Sequence, residues 1–213
     1  KKFEMELAGR TLRVDVGRVA KQANGAALMH YGDTVVLSTA TASEKPRDGI
    51  DFFPLSGEYE EKMYSVGKIP GGFLKRESKP KDKEILVSRL IDRPMRPLFD
   101  KAFGREIQIV PTVVSTDMIN TPDIIAINAA SCAVTISDIP FYGNEYVINP
   151  TFQQIPTASL DIVVAGTKGG ITMVEGGAKE VSEDDMLGAI ASAQPVITEI
   201  CLAQEKMREL CGK

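Results

Sequence analysis

The sequence has little cysteine, one of the residue types on which metal and redox sites most often depend. Its three cysteines are Cys132, Cys201 and Cys211, and no two of them form a Cys-x-x-Cys pair. An odd number of scattered cysteines is typical of reduced thiols rather than of a disulfide framework or a zinc site. We therefore expect a cytoplasmic protein in which this chain binds no metal.

Histidine is scarcer still. His30 is the only one, and it lies in a segment that reads as a strand. A lone histidine within a strand is more often structural than catalytic, so we assign it no role.

Long apolar runs are also missing. No stretch approaches the roughly 20 apolar residues that span a bilayer, and no signal peptide opens the chain, so we expect no membrane partner. With 43% hydrophobic and 25% charged residues, the 213-residue chain has the composition of an ordinary globular domain. It begins at Lys1 rather than at methionine, and we expect it to be a fragment of a longer multidomain chain.

Positive charge is slightly outnumbered overall but concentrated in one stretch, residues 62–96, which we name the basic segment. It holds ten Lys/Arg and four Asp/Glu, a balance of +6 in a chain whose formal net charge is −4. Such a segment on an acidic body would draw a polyanion to one place. The alternative is that the charges are merely solvated or paired with neighbouring acids.

The first part of the basic segment reads as a loop. Residues 67–72, GKIPGG, contain too many backbone breakers for a helix or a strand. They lead into Phe73, Leu74, Lys75 and Arg76. An aromatic ring followed by two cations can stack on an unpaired base while the cations hold the flanking phosphates.

The second part has the pattern of a helix over residues 83–93 that stops before Pro94. Its predicted buried stripe is Leu86, Val87, Leu90 and Ile91. Arg89 and Arg93 are four residues apart and are expected to lie together at the edge of that stripe. Two guanidinium groups on one ridge suit phosphate oxygens.

Elsewhere, alternation and turn residues predict strands, and two longer apolar patterns predict helices. The helices cover residues 124–136 and the stretch after Ser182, with Pro195 as an expected kink. The strands are predicted at residues 3–7, 10–16, 26–31, 34–41, 51–61, 107–114, 146–148, 160–165 and 171–174. This order indicates a single α+β domain with early antiparallel strands and later helices.

Several motifs, in order and at matching spacing, resemble the polynucleotide phosphorylase family, and specifically its first RNase PH-like core domain. They are DFFPL at 51–55, GKIPG at 67–71, RLIDRPMRPLF at 89–99, NTPD at 120–123, SDIPF at 137–141 and LDIVVAGT at 160–167. The resemblance spans nearly the whole chain. It implies an α+β, RNase PH-like fold (ribosomal protein S5 domain 2-like), with mixed β-sheets packed with helices, over residues 1–213 as one core domain.

The resemblance also implies a function: a phosphorolytic 3′-to-5′ exoribonuclease in which inorganic phosphate attacks the last phosphodiester of RNA and releases nucleoside diphosphates. The implied partners are the 3′-end of single-stranded RNA, further copies of the chain in a homotrimeric ring, and possible components of an RNA degradosome. The implied cofactor of the full-length enzyme is Mg²⁺.

By the same resemblance, Phe73, Leu74, Lys75 and Arg76 match the motif that narrows the family's RNA channel. That motif normally has two aromatics followed by two arginines. Here Leu74 replaces the second aromatic, so one ring that could stack on a base is missing, and Lys75 replaces the first arginine, so one planar guanidinium group is missing. Arg89 and Arg93 match arginines that the family directs towards the active site, and we expect them to contact phosphates of the RNA 3′-end.

Two family features are absent from the sequence: the Gly-Ser-Ser phosphate turn and an aspartate cluster ending in Asp-x-Lys. Both belong to the family's second core domain, so we expect the Mg²⁺ ligands there and an inactive isolated fragment. Asp184 and Asp185 are adjacent helical residues that diverge by about 100°, and they read as capping residues. The alternative function is a non-catalytic RNA-binding subunit of an exosome-like ring.

Overall fold

The computed structural model describes residues 1–46, 49, 52–73, 75–77, 79–141 and 159–213, with the side chain of Lys101 left out. The described part contains nine strands and three α-helices. In chain order they are β1 (Lys2–Leu7), β2 (Arg10–Val16), β3 (Gly25–Tyr31), β4 (Thr34–Pro46), β5 (Leu55–Gly57), β6 (Glu60–Glu61), α1 (Asp82–Met95), β7 (Arg105–Ser115), α2 (Pro122–Thr135), β8 (Leu160–Thr167), β9 (Gly170–Ala178) and α3 (Glu183–Cys211).

The main sheet has seven strands in the order β1-β2-β3-β4-β7-β5, and β6 also pairs with β7. Strands β1 to β4 form antiparallel hairpins, with Met5 opposite Leu12 and Met29 opposite Val36. Successive residues alternate between the core and the outer face, as the buried and half-buried pattern of β3 and β4 shows. The predicted hairpins are confirmed, and β4 runs on to Pro46, beyond the predicted end at residue 41.

Helix α2 lies against the inner face of this sheet, and all of its residues except Asp123 are buried. Small side chains let it approach the strands closely. A Cβ atom added to Gly25 on β3 would lie only 1.9 Å from the carbonyl oxygen of Ala133. The helix predicted over residues 124–136 is confirmed, and it lies in the core.

Strands β8 and β9 form a separate antiparallel hairpin, and α3 packs against it and against α2. The hydroxyl of Ser182 caps α3 by accepting a hydrogen bond from the backbone N–H of Asp185 at 3.1 Å. By length and composition alone α3 could also span a membrane, with a mean hydropathy of 1.5 over 18 residues. Its buried side chains, including Ile197 and Ile200, belong to the hydrophobic core.

Two predicted boundaries need correction, and a third predicted element lies outside the described residues. The single strand expected over residues 51–61 is two short strands, β5 and β6, and both run parallel to β7. Helix α1 does not stop before Pro94 but continues to Met95 and then into a 3₁₀ turn, Arg96–Leu98. The strand predicted at 146–148 lies outside the described residues.

Candidate nucleic-acid interface

Helix α1 presents one face to the core and the other to solvent. Val87, Ile91 and Met95 are buried, whereas the side chain of Leu86 is 65% exposed. The prediction that Leu86 lies in the buried stripe is therefore wrong. Leu86 shares the outer face with Arg89, three residues further on, and this apolar side chain flanks the arginine ridge.

The C-terminal end of α1 is fixed by Arg96. Its guanidinium donates to both carboxylate oxygens of Asp92, at 3.0 and 2.5 Å. It also donates to the carbonyl oxygens of Phe53 and Leu55, at 2.9 and 3.2 Å. This arginine of the basic segment is thus committed to joining α1 to the chain that enters β5.

Arg89 and Arg93 both lie exposed on the outer face of α1. Arg93 donates to the Glu175 carboxylate on β9, with side chains that are 58% and 51% exposed. An ion pair this exposed contributes about 0–1 kcal/mol, so a phosphate group could displace it. For Arg89 no ion pair is found among the described residues.

The tip of the loop is fully open to solvent. The Phe73 side chain is 101% exposed, and Lys75 and Arg76 are also exposed. The backbone N–H of Lys75 donates to the Gly72 carbonyl at 3.3 Å, which closes a tight turn with both residues at positive φ. Leu74 lies outside the described residues.

Loop and ridge are continuous along the chain, because the loop ends where α1 begins at Asp82. At 1.5 Å per residue, Arg89 and Arg93 stand roughly 10 and 16 Å from that end of the helix. The two arginines therefore follow the loop in the chain and stand about 6 Å apart along the axis of α1.

The loop is held by two carboxylates, Glu84 and Glu77, that the sequence pattern does not indicate. Glu84 accepts from the backbone N–H groups of Glu61, at 2.8 Å, and Lys81, at 2.7 Å. Glu77 accepts from the backbone N–H of Met63 at 2.9 Å. A glutamate three residues into a helix is half of a capping-box signal, but Lys81 in the N-cap position hid it.

One lysine of the basic segment, Lys83, is paired with an acid of β6. Lys83 donates to Glu61 at 2.7 Å, and the buried Tyr59 hydroxyl donates to the same carboxylate at 2.8 Å. Burial acts to lower the pKa of Lys83, but the hydrogen bond to Glu61 and the charges of nearby carboxylates together outweigh it, so the pKa is raised. Burial, with the Glu61 carboxylate beside it, raises the pKa of Tyr59. Lys83 is therefore a structural cation.

Some cations of the basic segment are paired with acids, so not all of its positive charge is available to a polyanion. Among the described residues, ion pairs are found for Lys62, Lys83, Arg93 and Arg96 of the basic segment. Three of these pairs lie away from the loop tip and the outer ridge. The exposed cations of the proposed site are Lys75, Arg76, Arg89 and Arg93, and of these Arg93 is the one with an ion pair shown.

The described residues do not fit a Mg²⁺ site. No group of three or more His, Cys, Asp or Glu side chains within this part of the chain could hold a metal ion. The Asp185 carboxylate accepts from the Ser182 hydroxyl at 2.6 Å in the first turn of α3, which is the role of a capping residue. Burial raises the pKa of the Cys132 thiol to about 12, so this sulfur stays protonated and inert.

Two family models match the chain. Domain 1 of the 3′ exoribonuclease family matches residues 8–140, and domain 2 of the same family matches residues 129–195. The first match alone covers more than half of the chain. It includes the loop and both arginines of the ridge.

Curated relatives agree with these matches. A polyribonucleotide nucleotidyltransferase of Treponema denticola is 57% identical over 100% of this chain, and one of Borrelia hermsii is 54% identical over 99%. The chain spans about a third of the length of these relatives, 32% and 31%.

Solved structures share the fold at low sequence identity. Rice Rrp46 superposes with a TM-score of 0.72 at 14% identity, covering 92% of this chain and 94% of that one. A chain of the Archaeoglobus fulgidus exosome with RNA bound to its active site gives a TM-score of 0.66, also at 14% identity, over 94% and 88%. These likenesses confirm the predicted RNase PH-like arrangement of a mixed sheet packed with helices.

Proposed function

Because the chain belongs to the 3′ exoribonuclease family, we propose that it is the N-terminal core domain of a phosphorolytic 3′-to-5′ exoribonuclease, a polyribonucleotide nucleotidyltransferase. One observation carries the proposal. The chain is 57% identical to a protein of that name, and it exposes an aromatic and two cations on a loop next to an arginine ridge. In the proposed reaction, inorganic phosphate attacks the last phosphorus, the bond to the 3′-oxygen breaks, and a nucleoside diphosphate leaves.

In this proposal the loop tip guides the RNA. The exposed ring of Phe73 stacks on an unpaired base, and Lys75 and Arg76 contact the phosphates on either side. Base–aromatic stacking contributes about 1–3 kcal/mol per base and tolerates any sequence. We therefore expect little sequence preference, since phosphate and stacking contacts carry little base information.

The ridge holds the end of the strand. Arg89 and Arg93 bind phosphates near the 3′-end and keep the reacting phosphorus in line with the attacking phosphate. Arg93 exchanges its exposed pair with Glu175 for this contact. Because both residues stand on a helix anchored by Arg96 and by buried side chains, the contacts are made without reordering the protein.

The rest of the catalytic site is proposed to lie outside this chain. Mg²⁺ would be held in the full-length enzyme by ligands of a second core domain. We also propose that residues 1–213 form one core domain, that the full-length protein is a cytoplasmic homotrimer, and that it can join RNA-degrading assemblies. The fold likeness to a chain of the Archaeoglobus fulgidus exosome is compatible with this arrangement.

The test is phosphorolysis by the full-length protein of a single-stranded RNA. Nucleoside diphosphates should appear only when inorganic phosphate is supplied. Arg89→Ala and Arg93→Ala should each lower turnover about 10- to 100-fold with an unchanged thermal melting curve. Arg208→Ala removes an exposed helical arginine on α3 and should leave turnover unchanged.

Wild-type turnover in both ridge variants would reject the role of the arginines. RNA binding without any phosphate-dependent release would instead favour a non-catalytic RNA-binding subunit of an exosome-like ring.

A further inference from the structure

The loop that carries Phe73, Lys75 and Arg76 is closed at its base by one carboxylate. One oxygen of Glu84 accepts from the backbone N–H of Glu61, in β6 before the loop, at 2.8 Å. The other accepts from the backbone N–H of Lys81, at the far end of the loop, at 2.7 Å. Each oxygen therefore holds one end of the loop.

Glu84 is itself held in place by helix α1. Its carbonyl oxygen accepts from the Ser88 hydroxyl at 2.8 Å, and that hydroxyl oxygen accepts from the backbone N–H of Tyr59 at 2.9 Å. The two hydrogen bonds join the first turns of α1 to the chain just before β6. The carboxylate thus belongs to a rigid element while the loop it ties is mostly exposed.

A second carboxylate acts nearer the tip. Glu77 directly follows Arg76, and its side chain accepts from the backbone N–H of Met63 at 2.9 Å. Both ties border a cleft of about 250 Å³ behind the loop, whose walls include Pro70, Gly71 and Arg76. The position of Arg76 is therefore set by contacts that reach back to the base of the loop.

The negative charge of Glu84 needs an explanation at this position. A carboxylate beside an RNA-binding loop repels RNA, so attraction to RNA gives no reason for Glu84 to be there. The two backbone N–H groups that it accepts from provide a reason, because charge-assisted bonds to backbone N–H are strong and directional.

We propose that Glu84 is a positioning residue for RNA binding, which ties the two ends of the loop so that Lys75 and Arg76 meet the phosphates. This inference rests on the proposed function. It goes beyond it by assigning a role in RNA affinity to an acidic residue that touches no RNA.

The test compares Glu84→Ala with Glu60→Ala in the full-length protein, using a single-stranded RNA at several salt concentrations. Both changes remove one negative charge. Glu60 pairs through its side chain with Lys62 at 2.7 Å, so it is the matched control. Glu60→Ala should bind RNA as tightly as wild type or more tightly, whereas Glu84→Ala should bind about tenfold more weakly.

The salt dependence separates positioning from general damage. The slope of log affinity against log salt should become about 1.4 less steep in Glu84→Ala, the loss of two phosphate contacts to a single strand. Glu84→Gln keeps one acceptor oxygen and should give an intermediate affinity. It also serves as the test variant if Glu84→Ala does not fold, as judged by circular dichroism and thermal melting.

A double-mutant cycle completes the design. In a Lys75→Ala, Arg76→Ala background, Glu84→Ala should cause no further loss of affinity, because the contacts it positions are already gone. An equal tenfold loss in both backgrounds, or wild-type affinity in Glu84→Ala, would overturn the inference. If Lys75→Ala with Arg76→Ala leaves RNA binding unchanged, the proposed function of the loop fails first.

Discussion

Arg89 and Arg93 share one face of α1 but differ in their surroundings. Arg93 forms an exposed ion pair with Glu175, and Arg89 has no such pair among the described residues. The sequence places the two arginines together correctly because a spacing of four residues is decisive on a helix. It could not reveal Glu175, which lies 82 positions further along the chain.

Replacing Glu175 with glutamine should therefore change RNA affinity with little effect on the stability of the fold. The free energy of unfolding should change by less than about 1 kcal/mol, because the pair is exposed. RNA affinity of the full-length protein should rise about two- to threefold at low salt, because Arg93 no longer has to leave a carboxylate at position 175 before it contacts a phosphate. RNA-binding titrations at low and high salt check this, and the gain should fade as salt rises.

Glu44→Gln makes the same exposed acid-to-amide change on β4 and should leave affinity near wild type. A weaker-binding Glu175→Gln variant would mean that the ion pair itself orients Arg93 for RNA.

The elements of the fold differ in how far the sequence predicted them. Strands β1 to β4 were predicted well because alternating residues and short turns are local signals. Strands β5 and β6 were not separated, because each pairs in parallel with β7, about 50 residues further on. Helix α1 passes its predicted end because Pro94 stands in the last turn, where only one backbone hydrogen bond is lost.

Two glycines in different elements should respond oppositely to the same change. Gly25→Ala forces a Cβ against the Ala133 carbonyl oxygen of α2, at 1.9 Å, and should cost about 3 kcal/mol of stability. Gly188→Ala in α3 meets nothing within 4 Å and should stabilise the helix by about 1 kcal/mol.

The measurement is the urea concentration at which the amides of β3 and α3 lose protection from hydrogen exchange. A tolerated Gly25→Ala would show that α2 does not pack against β3 as closely as described.

For the whole molecule, the basic segment concentrates positive charge in one part of an otherwise acidic chain. The sequence predicted this separation of charge from a count of residues alone. It could not tell which cations are available, because the partners of Lys62, Lys83 and Arg96 become neighbours only through the fold. Nor could it show that Glu84 and Glu77 hold the loop, because both side chains accept hydrogen bonds from backbone N–H groups, which carry no signal in the sequence.

The most direct measurement of the central claim is the affinity of the full-length protein for single-stranded RNA as a function of salt, with Lys75→Ala and Arg76→Ala combined. The matched control is Lys21→Ala with Lys45→Ala, two exposed lysines outside the basic segment. The account predicts about tenfold weaker binding and a salt slope about 1.4 less steep for the loop variant only. Wild-type affinity and slope in the loop variant would contradict it.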